Sequence, residues 1–271
     1  MKQRILTIVV ALMALFSVNN AYGWRSNGHG TIGYIADRNL TPKARKMCAK
    51  YLGHSLSYHA SWFDNWRYSK EYHHTARWHA VGVKSDGSFV PGQLLGDISD
   101  FLTKMYPEDH MIARLAELRT NLKDYKNMSD SAVAVNLCAI IHIVGDMHCP
   151  GHTFFEGETQ FVMKEGDSEL RYHGFWDDSY TRFHGDKTSD QFYKEFCTLT
   201  PEEIADICKG EPEEWLRANF PQFRETYTLV SPGMDVRELS EENKKRAKEM
   251  TDILHRNAGY RLAYVINQIF K

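Results

Sequence analysis

The sequence predicts a mainly α protein: one helical domain with a minor β-hairpin. Three observations carry this. From Ser240 onward, Ala247, Met250, Ile253, Leu254, Ala258, Leu262, Val265, Ile266 and Ile269 keep helical spacing to the C-terminus. Start and stop signals for helices recur: Thr41-Pro42 before Gly53, and Thr200-Pro201-Glu202-Glu203 before Gly210. Against these stands one good strand candidate, Thr159 to Met163. It faces Glu169 to Tyr172 across a Glu165-Gly-Asp-Ser turn.

The elements follow in order. Lys2 and Arg4, an apolar run from Ile5 to Val18, and the small residues Ala21 and Gly23 form a signal-peptide pattern. The run is short for a membrane span, which needs about 20 residues. Cleavage is expected at Gly23/Trp24, giving a secreted or periplasmic protein with no stable membrane anchor. A helix is expected from near Gly28, carrying His29, and a second from Pro42 to about Leu52. Residues 58–67 look helical and aromatic; 84–92 read as a turn or loop. Two helices are expected over 94–105 and 108–125, split by Pro107. The central helix covers 131–148, with an almost wholly apolar run from Ala132 to Ile141. Further helices are expected from His173, from Pro201, over 213–227 and from Ser240. No internal repeat or linker divides 24–271, so these residues are expected to form one domain, and a monomer.

Composition narrows the partners. The net charge is −2, and losing Lys2 and Arg4 with no acid takes it to −4. This is not the basic profile of an ordinary nucleic-acid binder, so an anionic substrate would need positive charge from bound cations. Five cysteines leave at least one thiol free; Cys197–Cys208 is one disulfide the sequence allows. Thirteen histidines raise the expectation of a metal site.

The densest chemistry lies between His142 and His152. His142 and Asp146 are four apart, on one face of a helix. Imidazole and carboxylate together suit a borderline divalent metal, zinc above all. Pro150 and Gly151 break the helix, so His152 can turn back toward the same spot. A buried carboxylate here needs a partner, either a metal or a second charged residue. The pattern recurs at His173 and Asp177; His148, beside these ligand candidates, reads as a supporting or surface residue, and Cys149 as a bystander.

Taken in order, Trp24-x4-His29, Ser61-Trp-Phe-Asp64, Trp78-His79, His142-x3-Asp146-x5-His152 and His173-x3-Asp177 resemble one family. It is the trinuclear-zinc, single-strand-specific nucleases and 3′-nucleotidases of fungi and plants, with bacterial relatives. Zinc-dependent phospholipases C share its fold. The resemblance runs from Trp24 and includes Ala258-Gly-Tyr-Arg-Leu-Ala-Tyr-Val-Ile-Asn, which is similar to that family's last helix.

The resemblance implies three Zn2+ per chain. Asp64, His79, His142 and Asp146 would hold one. Asp146 would bridge to a second, bound also by His29 and by the amino nitrogen and carbonyl oxygen of Trp24. His152, His173 and Asp177 would hold the third. The implied reaction is hydrolysis of single-stranded DNA and RNA to 5′-phosphorylated products, and of 3′-nucleotides. A hydroxide bridging two zincs would attack phosphorus, and the third zinc would bind phosphate. Asp64 would orient the water, and Arg67 would neutralise transition-state charge. Asp178 stands where the family often has an amide or hydroxyl touching phosphate. Ala80 and Gly82 stand where characterised fungal members have an aromatic residue and an acid contacting a base, so base preference does not carry over. Trp62, Trp66, Trp78, Phe154, Phe155 and Trp176 are candidates for stacking. The rival enzyme is a zinc phospholipase C, whose branch has a Glu where Asp177 stands. A zinc-binding or helical interaction protein without catalysis is the reading from another class.

Overall fold

The computed structural model describes residues 26–67, 69–92, 109–158 and 160–271. The predicted N-terminal helix is α1, Ser26–Arg38. The second is α2, Pro42–Leu52, which starts where Thr41 accepts a hydrogen bond from the Ala44 amide and stops at Gly53 in the left-handed conformation (φ 70°). The aromatic stretch expected as one helix is two, α3 (Leu56–His59) and α4 (Trp62–Trp66). Residues His73–His79 form a 3-10 helix. The helix expected over 94–105 lies outside the described residues. The next is α5, Met111–Asn121, continued by a 3-10 turn over Leu122–Asn127.

The central helix is α6, Asp130–Asp146, capped by the Ser129 side chain on the Ala132 amide. Every residue from Leu137 to Asp146 is buried. A helix apolar all round can only lie inside a core, and α6 packs against α1, α2, α4 and α5. After a 3-10 turn at Pro150–His152 come α7 (Tyr172–Asp177), α8 (Ser179–His184) and α9 (Ser189–Phe196). Then follow α10 (Pro201–Cys208) and α11 (Pro212–Leu229). The last helix, α12 (Glu241–Ile269), lies against α1, α6 and α10. The predicted Thr200/Glu203 capping box forms. The helix α9 has its own box, Thr188 with Gln191, in a stretch with too few apolar residues to signal a helix by periodicity.

The predicted hairpin is present as β4 (Val162–Glu165) and β5 (Ser168–Arg171), antiparallel, with Met163 opposite Leu170. A second sheet, which the sequence does not signal, joins β1 (Val81–Val83), β2 (Phe89–Pro91) and β3 (Thr153–Phe155) in the order β2-β1-β3. Residues 84–92, expected as a loop, supply β2. The parallel pairing of β1 with β3 sets Val81 opposite Thr153. These strands follow directly on His79 and His152, so the sheet brings those two histidines together.

All five cysteines are buried free thiols. The Cys197–Cys208 disulfide that the sequence allows is therefore not formed. Both thiols pack in a small satellite core with Ile35, Tyr180, Phe192 and Tyr260.

Candidate metal centre

Six elements deliver the predicted ligands to one buried place. The helix α1 supplies His29, α4 supplies Asp64, and the 3-10 helix after it ends on His79. The C-terminal turn of α6 supplies His142 and Asp146; the 3-10 turn beyond supplies His152; α7 supplies His173 and Asp177. Close packing is possible because residue 145 is glycine: a Cβ there would come within 2.6 Å of the His29 ring. All of these side chains are essentially fully buried except His173, which is 17% exposed.

Asp146 is the hub. Its Oδ2 lies 2.9 Å from His79 Nδ1 and 3.1 Å from His142 Nε2. Its Oδ1 lies 3.2 Å from His29 Nε2 and 3.6 Å from His152 Nε2. The two oxygens therefore face different groups of histidines. Asp64 completes the first group, with Oδ1 at 3.5 Å from His142 Nε2 and 3.8 Å from His79 Nδ1. Trp24, expected to complete the His29 group, lies outside the described residues. In the third group, His152 Nε2 and His173 Nε2 each stand 3.0 Å from an Asp177 oxygen and 3.1 Å from each other.

Tautomers decide what this cluster can hold. His142 Nδ1 donates to the Ala60 carbonyl at 2.8 Å, and His152 Nδ1 donates to the His79 carbonyl at 2.5 Å. A carbonyl only accepts, so each Nδ1 carries the proton and each neutral ring aims an Nε2 lone pair at carboxylates. Lone pairs facing anions repel unless a cation or an extra proton lies between them. This carbonyl-anchored arrangement is the usual support of a metal-bound imidazole. The orphaned atoms agree. Both Asp64 oxygens, Asp146 Oδ1 and both His29 nitrogens make no hydrogen bond to a described residue. Three buried carboxylates among neutral imidazoles would be too costly without cations.

The titration shifts show the same strain. Burial pushes the Asp64 carboxyl up, but His142, His79 and Arg67 outweigh it and hold it below its ordinary value. Asp146 is held well below for a like reason, through His142 and His152. Burial lowers His142, yet Asp146 and Asp64 raise it well above normal. His152 is raised to about 9 by Asp146 and Asp177 against burial. Burial lowers His79 to about 4, and lowers His29 and His173. Without a metal, the cluster recruits protons where the carboxylates converge. Divalent cations would replace them.

A sequence model of the S1/P1 nuclease family matches residues 24–271. The chain belongs to the S1/P1 nuclease family. Nuclease S1 of Aspergillus oryzae (strain ATCC 42149 / RIB 40) is 28% identical over 153 residues, covering 55% of this chain and 50% of that protein. The chain thus spans about half the length of the relative it matches. S1/P1 nucleases are metal-dependent hydrolases acting on phosphoester bonds, and the helical architecture and buried His/Asp clusters fit such a protein.

Several residues around this S1/P1 centre behave differently from their sequence context. Arg67 caps α4 with its guanidinium 3.6 Å from Asp64 Oδ1, and its charge reaches His79 and His173. The Asp178 carboxylate lies 3.6 Å from Arg182 Nε on α8. Ala80 and Gly82 are buried, and a Cβ on Gly82 would come within 2.7 Å of Val90, so β2 occupies the space a larger residue would need. Trp176 and Phe155 are core; Trp66 packs on Trp62 and Tyr72. His148, which the sequence leaves between a surface and a supporting role, is buried. It donates to the Val144 carbonyl and accepts from Arg261, which ties the end of α6 to α12. Cys149, read from the sequence as a bystander, places its thiol 3.3 Å from Asp177 Oδ1. Its position three residues after Asp146 and three before His152 was the available signal.

Proposed function

We propose that this chain is an exported zinc-dependent phosphodiesterase. It cuts single-stranded DNA and RNA to 5′-phosphorylated products and dephosphorylates 3′-nucleotides. The two activities are one reaction, because each breaks a bond between phosphorus and a 3′-oxygen. The observation that carries the reading is Asp146, whose two oxygens face separate histidine groups. That is the arrangement expected of a carboxylate shared between two metals. Family membership supports the same chemistry.

Asp64, His79, His142 and Asp146 would hold one ion; His29, Asp146 and the chain terminus at Trp24 a second; His152, His173 and Asp177 a third. Zinc bound there would supply Lewis acidity and lower the pKa of water toward neutrality. The protein does the rest. Asp64 has carboxylate lone pairs not taken up by hydrogen bonds and can receive a proton from the attacking water. Arg67 presents a planar fork suited to phosphate oxygens. The carbonyls of Ala60 and His79 fix the rings of His142 and His152, so no reorientation accompanies the reaction. With Ala80 and Gly82 against β2, base contacts come from elsewhere, and the half-buried rings of Trp66 and Tyr72, centroids 4.1 Å apart, stand on either side of Arg67 in the chain and are candidates.

The reading includes removal of a signal peptide at Gly23/Trp24 and a monomeric mature protein. The test is a comparison of the mature protein on single-stranded DNA, RNA, 3′-AMP and phosphatidylcholine, with and without chelator. Activity on the nucleic acids and 3′-AMP, abolished by chelator and restored by Zn2+, is expected. Activity confined to the lipid, or resistant to chelation, would overturn the proposal. Extra residues before Trp24 remove its α-amino group and should cost one zinc and most activity.

A further inference from the structure

The third ligand group contains a side chain beyond His152, His173 and Asp177. Cys149 is fully buried, and its Sγ lies 3.3 Å from Asp177 Oδ1. Sulfur, a His152 ring nitrogen and an Asp177 oxygen lie mutually within 4.8 Å. A second observation points to a ligand at the same place. Asp177 is 1% exposed, and its Oδ2 makes no hydrogen bond to a described residue.

The spacings match one ion. A tetrahedral zinc site with ordinary bond lengths separates nitrogen and oxygen ligands by about 3.3 Å, and sulfur from either by about 3.6 Å. Here His152 Nε2 and Cys149 Sγ lie 3.0 and 3.3 Å from Asp177 Oδ1, His173 Nε2 lies 3.0 Å from Asp177 Oδ2, and His152–His173 is 3.1 Å. These four separations are a few tenths of an ångström below the tetrahedral values, and Cys149 Sγ stands within 4.8 Å of the His152 ring nitrogen.

Local structure explains how the thiol arrives there. The Cys149 amide donates to the Asp146 carbonyl, and Pro150 holds Cys149 extended at φ −95°, ψ 124°. Gly151 then allows His173 to close in, since a Cβ at 151 would lie 2.9 Å from its ring.

We propose that Cys149 is a fourth protein ligand of the third metal, bound as thiolate, an inference that rests on the metal-centre reading above. A bond forms between Sγ and the ion, and the thiol proton leaves to solvent. Four protein groups close a tetrahedral site in the manner of structural zinc, whereas catalytic zinc keeps a position open. Held this way, Cys149, His152, His173 and Asp177 would tie the end of α6 to α7 through the ion. Phosphate binding would then rest on Arg67 and the site around Asp146, in place of the third-zinc role the family resemblance implies. A soft sulfur ligand also biases the position toward zinc, cobalt or cadmium over magnesium or manganese.

Cobalt reports this directly, because a thiolate bound to Co2+ gives an intense near-ultraviolet charge-transfer band that nitrogen and oxygen ligands do not. The mature protein is loaded with Co2+, its metal content measured and its spectrum recorded beside Cys149→Ser and Cys149→Ala. The band is expected in the parent and lost in both variants, which keep cobalt on their histidines and carboxylates. A cobalt-loaded parent without the band overturns the proposal, whether or not either variant folds, and leaves Cys149 as a hydrogen-bond donor to Asp177. A parent that binds no cobalt and no zinc overturns the metal-centre reading itself, and metal analysis separates the two failures.

Discussion

Single residues in this protein are set by what their other atoms touch. His142 and His152 point lone pairs inward only because carbonyls hold their Nδ1 protons. Asp146 meets four imidazoles, from α1, the 3-10 helix, α6 and the turn beyond it. Replacing it with Asn keeps the shape and removes the charge and one strong ligand oxygen. Asp146→Asn should therefore lose at least one zinc by metal analysis. It should also lose activity by more than the 10- to 100-fold typical of changes in supporting partners alone. The cysteines give a second expectation. Burial raises the thiols of Cys48, Cys138 and Cys197 to about 12 and that of Cys208 to about 11, and raises Cys149 well above its ordinary value. Only thiolate reacts. At pH 8 the native protein should show no fast-reacting thiol, and the unfolded, metal-free chain five. Three on unfolding would mean that a disulfide is present after all.

Elements place these residues by close approach. The contact between α6 and α1 depends on Gly145, against which the His29 ring lies. Gly145→Ala would push His29 away from Asp146. The expected cost is about 1–3 kcal/mol of stability by denaturant titration, as for other overpacked cores. Metal content should fall by about one ion per chain. The helices themselves were legible in the sequence, since caps such as Thr41, Thr200 and Ser240 and an apolar period act within one or two turns. The β2-β1-β3 sheet was not. Its strands are three residues each, and β1 pairs with a segment 72 positions along the chain. No local period marks so short a strand, yet this pairing sets His79 beside His152.

For the whole molecule, metal and fold stand in one equilibrium. The ligands come from six separate elements, and no unfolded chain gathers them, so ions that bind the native state stabilise it by mass action. Free zinc a thousandfold above its dissociation constant would contribute about 4 kcal/mol. For a chain of this size, removing it with chelator should lower Tm by roughly 10 °C. A chelator that left Tm unchanged would show that the cluster is satisfied without metal. Among the described residues no helix is long and apolar enough to cross a membrane. The acidic net charge also makes bound cations the natural source of attraction for a polyanion.

The sequence by itself determined the helical class, the caps, the hairpin and the identity of the metal-ligating candidates, because helix periodicity and His-x3-Asp spacing are local quantities. Tertiary structure decided which candidates meet. It gave Asp146 its two faces, drew Cys149 to Asp177, turned Asp178 toward Arg182 and closed the space beside Ala80 and Gly82. Those outcomes depend on how helices and strands far apart in the chain pack against each other, and packing distance is not encoded in spacing along the chain.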